Sequence, residues 1–247
     1  MKNHYSSSYI ITYIHSKRNL NVLKHNINQL LKNPKIEIIV VEAGKNPMIK
    51  NLDLKSKYVF AETNVYNVGW LFNLGARKAT TKHLFFGDNS ILPNMDFIIN
   101  IINQPTGHEC VYAQTEIIEL DQTTTDNKQY NYDLPSKKSI IGGLCYYTFD
   151  GFYKVGMWDE NIYDKDLYSF QDKKNHLLIK LGKSENTKGI KFLLDSARIS
   201  DDIKENSNKY FDKVSKLDET KLITYIRSQQ KKSANIYKYK STEIMKP

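Results

Sequence analysis

The sequence predicts an α/β fold in which a mainly parallel central sheet is flanked by helices and followed by a helical C-terminal extension. Three observations lead to this prediction. Short runs of Ile, Val, Phe and Tyr alternate with amphipathic segments, as in successive β-α-β units. The runs are apolar throughout, which is typical of parallel strands that are buried on both faces. Polar and acidic residues follow the runs, where doubly wound folds bind their ligands.

The first three elements form a strand–helix–strand unit. Residues 9–14 (YIITYI) are a short β-branched and aromatic run. Leucine and isoleucine recur at helical spacing over residues 20–32, and Asn33-Pro34 ends that helix. Residues 36–41 (IEIIVV) are a second buried strand. This order predicts a right-handed parallel β-α-β unit.

Two further strand–helix pairs follow. Residues 58–61 and 83–86 are predicted strands, and residues 70–79 and 95–102 are predicted helices. These segments extend the parallel sheet.

The second half of the chain is less regular. A more irregular stretch begins at 110–114, and the polar segment 121–138 is predicted as a loop. Apolar strand-like sequence returns at 139–148, a helix is expected over 149–158, and 177–181 suits the core face of a later helix. From residue 201 onward the chain is charged and helix-prone.

Composition limits the class of protein. At 247 residues, with 40% hydrophobic and 26% charged residues, the chain suits one globular domain with a small appendage. The net charge of +9 favours anionic partners such as nucleotides, nucleic acid or acidic lipid. Scattered basic residues without a nucleic-acid-binding motif disfavour nucleic acid among these.

Location is predicted from apolar runs and cysteines. The sequence contains no run near the roughly 20 apolar residues of a transmembrane helix. The apolar run near its start is too short for a signal peptide. Cys110 and Cys145 are in no metal-binding spacing and suit a reducing compartment. We therefore expect a cytoplasmic protein, with peripheral membrane contact left open.

Charged and polar side chains cluster where predicted strands end. Arg18 lies just beyond the first strand, Glu42 ends the second and Asp88 ends the fourth. The sequence lacks both the GxGxxG and the GxxxxGK[ST] motifs, which disfavours a dinucleotide-binding Rossmann domain and a P-loop enzyme. A divalent metal held by an acid after a strand is a common alternative for binding a diphosphate.

Three segments resemble the GT-A glycosyltransferases of family 2 type. They are IIVVEAGKN, NVGWLFNLGARKATTKHLFFGDNS and GGLCYYTFDGFYKVGMWDENIYDKDLYSFQDKKNHLLIKLG. The resemblance covers about residues 8–200 and implies a GT-A domain over 1–200. Its donor half would span about 8–105 and its acceptor half about 106–200, with a charged helical extension over 201–247.

The resemblance implies a donor site. It suggests contacts of Tyr13 and Arg18 with base and ribose, hydrogen bonds from base or ribose to Glu42, and a DxD-type motif at Asp88-Asn89-Ser90 that contacts the diphosphate. The segment lining the donor pocket would contain Asn67, Asn73 and Arg77.

The resemblance also implies an acceptor site. An acidic pair that opens the next helix corresponds to Gln171-Asp172, with Asp172 as the general base of an inverting transfer. Apart from the resemblance, Trp158 beside Asp159-Glu160 suits either stacking on an acceptor sugar or a place in the core. The acids Asp159, Glu160, Asp164 and Asp166 suit either a group that holds acceptor hydroxyls or a solvated loop.

The implied activity is transfer of a sugar, with a hexose favoured, from a nucleoside-diphosphate donor, UDP by preference, to a glycan, glycolipid or protein glycan. Such an activity would belong to polysaccharide or glycoconjugate biosynthesis. Mn²⁺ or Mg²⁺ at Asp88 is expected to bind weakly or to be absent, because Ser90 replaces the second acid of DxD and residues 194–202 lack histidine. Gln171 likewise replaces the first acid of the pair. These departures keep open an alternative, a non-catalytic carbohydrate- or nucleotide-binding relative.

Overall fold

The computed structural model describes residues 5–103, 107–120, 138–163, 166–177, 182–192 and 200–233. These ranges contain strands β1 Ser7–Ile14, β2 Ile36–Gly44, β3 Lys57–Glu62, β4 His83–Asp88, β5 Cys110–Leu120, β6 Lys138–Thr148 and β7 Gly182–Phe192. The helices are α1 Lys17–Leu30, α2 Val68–Lys78, α3 Met95–Asn103, α4 Phe149–Lys154, α5 Asp166–Leu177, α6 Asp201–Ser215 and α7 Glu219–Ser233.

The described strands form one sheet in the order β3-β2-β1-β4-β6-β5-β7. β3, β2, β1 and β4 pair in parallel, β6 is antiparallel to β4 and β5, and β7 is parallel to β5. The ends of β1 to β4 therefore share one edge of the sheet, which we call the carboxyl edge. The predicted α/β class and mainly parallel sheet are confirmed.

Helices cover both faces of the sheet. Adjacent residues of a strand point to opposite faces, so neighbouring side chains of β1 lie in different clusters. Ile10 lies in one buried cluster with Leu71 of α2, whereas Ile11 lies in another with Leu23 of α1. α2 lies close to β1, since a Cβ at Gly75 would be 2.3 Å from Cγ2 of Ile10. Glycine at this position thus permits the close approach of helix and strand.

The two C-terminal helices pack on the same face as α2. Val214 of α6, and Leu222 and Ile226 of α7, are buried within the cluster that contains Ile10. Residues 201–215 and 219–233 of the charged segment are therefore helical, as predicted, and both helices share a core with the sheet.

Some predicted elements differ in extent. The helix expected over 149–158 ends at Lys154, because Gly156 and Met157 adopt positive φ angles of 73° and 57°. The stretch expected to be irregular from residue 110 is the 11-residue strand β5. Nearly all of the predicted loop 121–138, and residues 178–181 of the predicted later helix, lie outside the described ranges. No helix within those ranges is long and apolar enough to cross a membrane.

Candidate functional site

Asp88 ends β4 at the carboxyl edge, opposite Thr12 of β1 in the strand register. Its Oδ1 accepts a hydrogen bond from the backbone N of Ser90 at 2.7 Å, which orders the turn after the strand. Tyr66, in the loop before α2, brings its hydroxyl 2.9 Å from Oγ1 of Thr12. Burial and, secondarily, the charge of Asp88 raise the pKa of Tyr66. The predicted phosphate-binding acid is thus part of a polar cluster at this edge.

A cavity of about 410 Å³ opens at the same edge, beside the ends of β1, β2 and β3. Its described lining comprises Ile14, Ala43, Gly44, Lys45, Thr63, Asn64, Val65 and Tyr66. Among these residues Lys45 alone is charged. Four polar residues of this lining were not predicted from the sequence: Lys45, Thr63, Asn64 and Tyr66. Each closely follows a predicted strand, and that position was the signal that could have identified them as cavity residues.

Tyr13 and Arg18 lie beside this edge. Tyr13, near the end of β1, is fully buried, and its hydroxyl lies 2.9 Å from Nδ1 of His15. Burial, and then the charge of Glu42, raises the pKa of Tyr13. Arg18 is half-buried in the first turn of α1, whose N-cap is Ser16. Contacts of Tyr13 and Arg18 with a nucleotide stay predictions.

Glu42 is fully buried near the end of β2 and already has protein donors. Its carboxylate accepts hydrogen bonds from the backbone N of Met48 at 3.1 Å, the backbone N of Ile49 at 3.3 Å and the hydroxyl of Tyr58 at 2.5 Å. These bonds hold the loop after β2 against the sheet. A further bond from base or ribose stays a prediction.

Two asparagines of the predicted donor pocket bind the protein's own 158–160 segment. Asn67 caps α2 by accepting from the backbone N of Trp70 at 2.9 Å, and it donates to the carbonyl of Glu160 at 2.5 Å. Asn73 donates to the carbonyl of Trp158 at 3.0 Å and to Oε1 of Glu160 at 2.8 Å. Asn67 and Asn73 therefore join the predicted donor and acceptor halves.

Arg77 lines a second cavity, of about 180 Å³, together with Asn73, Trp158 and Glu160. None of these residues lines the 410 Å³ cavity. The predicted donor residues therefore form two groups. Asn73 and Arg77 of α2 line the smaller cavity, whereas Tyr13, Glu42 and Asp88 lie at the ends of their strands.

Trp158 and Asp159 are buried. The indole of Trp158 is 1% exposed and packs against Phe72, so it presents no open face to a sugar in this structure. Asp159 is fully buried and accepts hydrogen bonds from the hydroxyls of Tyr210, at 3.2 Å, and Tyr225. Acceptor contacts of Trp158 and Asp159 stay predictions that their placement does not support.

The position of Gln171 and Asp172 within α5 corrects the prediction that they open this helix. α5 begins at Asp166, so both residues lie in its second turn. Gln171 is fully buried and donates to the hydroxyl of Tyr147 at 3.2 Å, and Tyr147 is paired with Leu84 near the start of β4. Gln171 therefore lies toward the opposite edge of the sheet from the end of β4.

The first turn of α5 lies nearer the carboxyl edge. Leu167 contacts the backbone of α2 at its first turn, where a Cβ at Gly69 would be 3.2 Å from Cδ2 of Leu167. The neighbouring Asp166 is half-buried. Asp172 is also half-buried, and burial raises its pKa while His176 opposes the shift. The two aspartates thus differ in their position relative to the carboxyl edge.

Metal-ligating side chains are sparse at the site. Within the ranges that the structure describes, no group of three His, Cys, Asp or Glu side chains could hold a metal ion. Asn89 has its amide committed to the carbonyl of Asn19 at 3.1 Å, and Ser90 is 8% exposed. Of the three residues in the predicted motif, Asp88 alone has a carboxylate. One carboxylate is compatible with Mg²⁺ bound to substrate phosphates, which needs only one or two from the protein.

The order and directions of the strands define a GT-A fold. Staphylococcus aureus TarS, residues 1–349, matches with a TM-score of 0.50 and 13% identity over 97% of this chain and 75% of that chain. Mycobacterium tuberculosis glucosyl-3-phosphoglycerate synthase matches with a TM-score of 0.51 and 10% identity over 83% of this chain and 77% of that chain.

A further mycobacterial protein matches with a TM-score of 0.52 and 11% identity, covering 82% of this chain and 71% of that chain. No family model and no curated protein matches the sequence. At these identities the similarity establishes the fold.

Proposed function

We propose that this protein is a glycosyltransferase that moves a hexose from a nucleoside-diphosphate donor, UDP by preference, to a hydroxyl of a glycan or glycoconjugate. The observation that carries the proposal is the position of Asp88 on the same sheet edge as the 410 Å³ cavity. Ligands of open α/β sheets bind at this edge. A base and ribose in the cavity would direct the diphosphate toward Asp88.

The lining of the cavity suits a nucleoside. Ile14 and Val65 supply apolar wall, while Thr63, Asn64 and Lys45 supply hydrogen-bonding groups. Specific small-molecule sites combine mostly apolar walls with a few polar groups in this way. Lys45 would donate to a base carbonyl or to a phosphate.

Transfer with inversion requires one carboxylate as base. The carboxylate takes the proton of the acceptor hydroxyl as its oxygen bonds to the anomeric carbon. The bond from that carbon to the diphosphate breaks, and the leaving nucleoside diphosphate keeps the electron pair. In the transition state the sugar resembles an oxocarbenium ion.

Two aspartates of α5 are candidates for this base. Asp172, implied by the resemblance, has a pKa that burial raises, which brings a carboxylate nearer to the pH of catalysis. Asp166 has the better location, because the first turn of α5 contacts the first turn of α2 beside the carboxyl edge. Geometry precedes pKa in choosing a base, so we favour Asp166.

A divalent cation would be held by Asp88 together with the diphosphate of the donor. When bound, Mn²⁺ or Mg²⁺ neutralises charge on the leaving diphosphate. The described residues supply no cluster of three metal-ligating side chains, so we propose weak binding that depends on the nucleotide.

Isothermal titration calorimetry of the full chain with UDP, GDP and their sugars, with and without Mn²⁺, tests the proposal. We expect binding of at least one nucleotide and slow hydrolysis of the matching donor sugar. Absence of binding across this panel would overturn the glycosyltransferase assignment.

A non-catalytic relative that binds carbohydrate or nucleotide is the second candidate, favoured by the lone carboxylate at the end of β4. It predicts nucleotide or glycan binding without donor turnover. Hydrolysis or transfer in a broad donor screen would exclude it.

A further inference from the structure

The 180 Å³ cavity lies between α2, the loop after α4 and the C-terminal helix α7. Arg77, on its wall, is ten residues beyond Asn67, the N-cap of α2. At about 1.5 Å rise per residue this is about 15 Å along the helix from the carboxyl edge. The described linings of this cavity and of the donor cavity share no residue.

The lining of this cavity is polar and carries little net charge. Arg77 and Glu160 contribute one positive and one negative group, and Asn161 and Ser228 contribute neutral polar groups. The amide of Gln229 also lines the cavity, and it bonds Lys174 and Tyr225. Each hydroxyl of a sugar both donates and accepts, so such a mixed lining suits a neutral polyol. The buried carboxylate of Asp159, whose partner Tyr225 also lines the cavity, disfavours an anion.

Aromatic side chains complete the wall. Tyr210 and Tyr225 line the cavity from α6 and α7, and tyrosine combines an apolar ring face with a polar hydroxyl. Trp158 also lines it, and the buried Nε1 of its indole has no hydrogen-bond partner among the described residues. Buried donors without partners are rare in native proteins. The indole is 1% exposed, so Trp158 borders the cavity without an open ring face toward it.

The size of the cavity limits the ligand. A volume of about 180 Å³ is below the range of about 300–1,000 Å³ that is typical of pockets for drug-sized ligands. A single ring with hydroxyl substituents fits this limit better than a nucleotide.

We propose that this cavity is a distal carbohydrate subsite, which binds one neutral monosaccharide unit of the glycan acceptor. The proposal rests on the proposed function for its biological role. The segment Glu160–Asn161 lines the cavity, and the chain then leads toward Asp166 at the first turn of α5. A glycan chain anchored in the cavity would extend along this segment toward the carboxyl edge.

Ligand-observed NMR of the full chain with a panel of neutral methyl glycosides, and with inorganic phosphate as a separate arm, tests the subsite. Ser228→Trp places a large ring in the cavity from the exposed face of α7. Thr224→Trp is the matched control, because both hydroxyls bond a backbone carbonyl of the same helix and Thr224 does not line the cavity. Asn161→Ala removes one polar group from the opposite wall and serves as a milder second variant.

We expect at least one glycoside to bind the wild-type protein and the Thr224→Trp variant. Its affinity should fall about tenfold or more in Ser228→Trp, and less in Asn161→Ala. Circular dichroism and UDP binding should be unchanged in all three variants. Loss of glycoside binding without loss of UDP binding separates this subsite from the donor site.

The proposal would be overturned if no glycoside in the panel binds, if phosphate binds in place of the glycosides, or if Ser228→Trp and Asn161→Ala both bind as the wild type does. UDP binding without any glycoside binding would leave the proposed function intact. Glycoside binding that Ser228→Trp abolishes, in a protein without donor binding, would support the subsite and overturn the transferase assignment.

Discussion

The side-chain amide of Asn73 bonds both backbone groups of Trp158, although the two residues are 85 positions apart. Nδ2 donates to the carbonyl oxygen at 3.0 Å, and Oδ1 accepts from the backbone N at 3.2 Å. Asn73 is fully buried in the middle of α2. A single amide thus attaches the segment that precedes α5 to the helix that follows β3.

Asn73→Leu should destabilise the protein, because it leaves the backbone N and carbonyl of Trp158 buried without partners. Each such group costs about 1–3 kcal/mol, so we expect a loss of at least about 2 kcal/mol in the free energy of unfolding. Urea denaturation followed by fluorescence measures this loss. Asn51→Leu, at an exposed position, is the control and should leave the midpoint nearly unchanged. Equal midpoints for the two variants would show that the Asn73 bonds contribute little.

Glu37 should make stability depend on pH. Burial alone would raise the pKa of this carboxyl, but the ion pair with Lys57 and hydrogen bonds from Ser8 and Thr80 hold it below the ordinary value of 4.5. The unfolded chain therefore binds more protons near and below pH 4.5, so this contribution to stability is present above that pH and is lost as the pH falls through the lower, folded-state value.

Urea midpoints measured from pH 7 down to pH 3 should fall more steeply in the wild type than in Glu37→Gln. The variant should also be less stable at pH 7, by about 1–3 kcal/mol. Parallel pH profiles of the two proteins would contradict the assignment.

Asp88→Asn should weaken binding of UDP in the presence of Mn²⁺ by about tenfold or more, equivalent to about 1.4 kcal/mol. The variant retains an oxygen for the backbone N of Ser90, so the turn after β4 should keep its structure. Calorimetry with and without Mn²⁺ isolates the metal-dependent part. Asp96→Asn, at an exposed acid in α3, should bind UDP as the wild type does. An unchanged affinity of Asp88→Asn with Mn²⁺ would remove Asp88 from the diphosphate site.

Asp166→Asn and Asp172→Asn together identify the general base. We expect Asp166→Asn to lower kcat by about 100-fold or more with little change in donor affinity, as loss of a general base does. Asp172→Asn should have a much smaller effect, since it lies in the second turn of α5. Turnover of the donor sugar with a responsive acceptor measures both. The reverse order of effects would assign the base to Asp172.

Much of the fold could be predicted from local sequence. Apolar runs such as residues 36–41, and helical spacing over 20–32, mark elements whose burial pattern is set by their own residues. The end of α4 could not be placed in this way, because positive φ angles at Gly156 and Met157 end the helix earlier than its apolar spacing suggests. β5 was missed as a full strand because it contains polar residues among its apolar ones.

The candidate site was predictable only in part. Acids at strand ends, Glu42 and Asp88, follow from strand boundaries and were located correctly at the carboxyl edge. The sequence did not show which of the two acids has a carboxylate available to a ligand. Glu42 accepts hydrogen bonds from three donors, which lie in the loop after β2 and in β3. Lys45 and Tyr66 were missed because nothing in their local sequence distinguishes a cavity wall from an ordinary loop.

The sequence by itself determined that the chain alternates strands and helices, that its sheet is mainly parallel and that polar groups gather at the strand ends. These properties depend on residue type and spacing within a few positions. Only the tertiary structure decided that Asn73, Arg77 and Glu160 share a cavity with α7, and that the first turn of α5, and not Gln171, lies beside the carboxyl edge. Such contacts join residues tens of positions apart, and their geometry depends on how whole helices pack on the sheet, which local spacing does not encode.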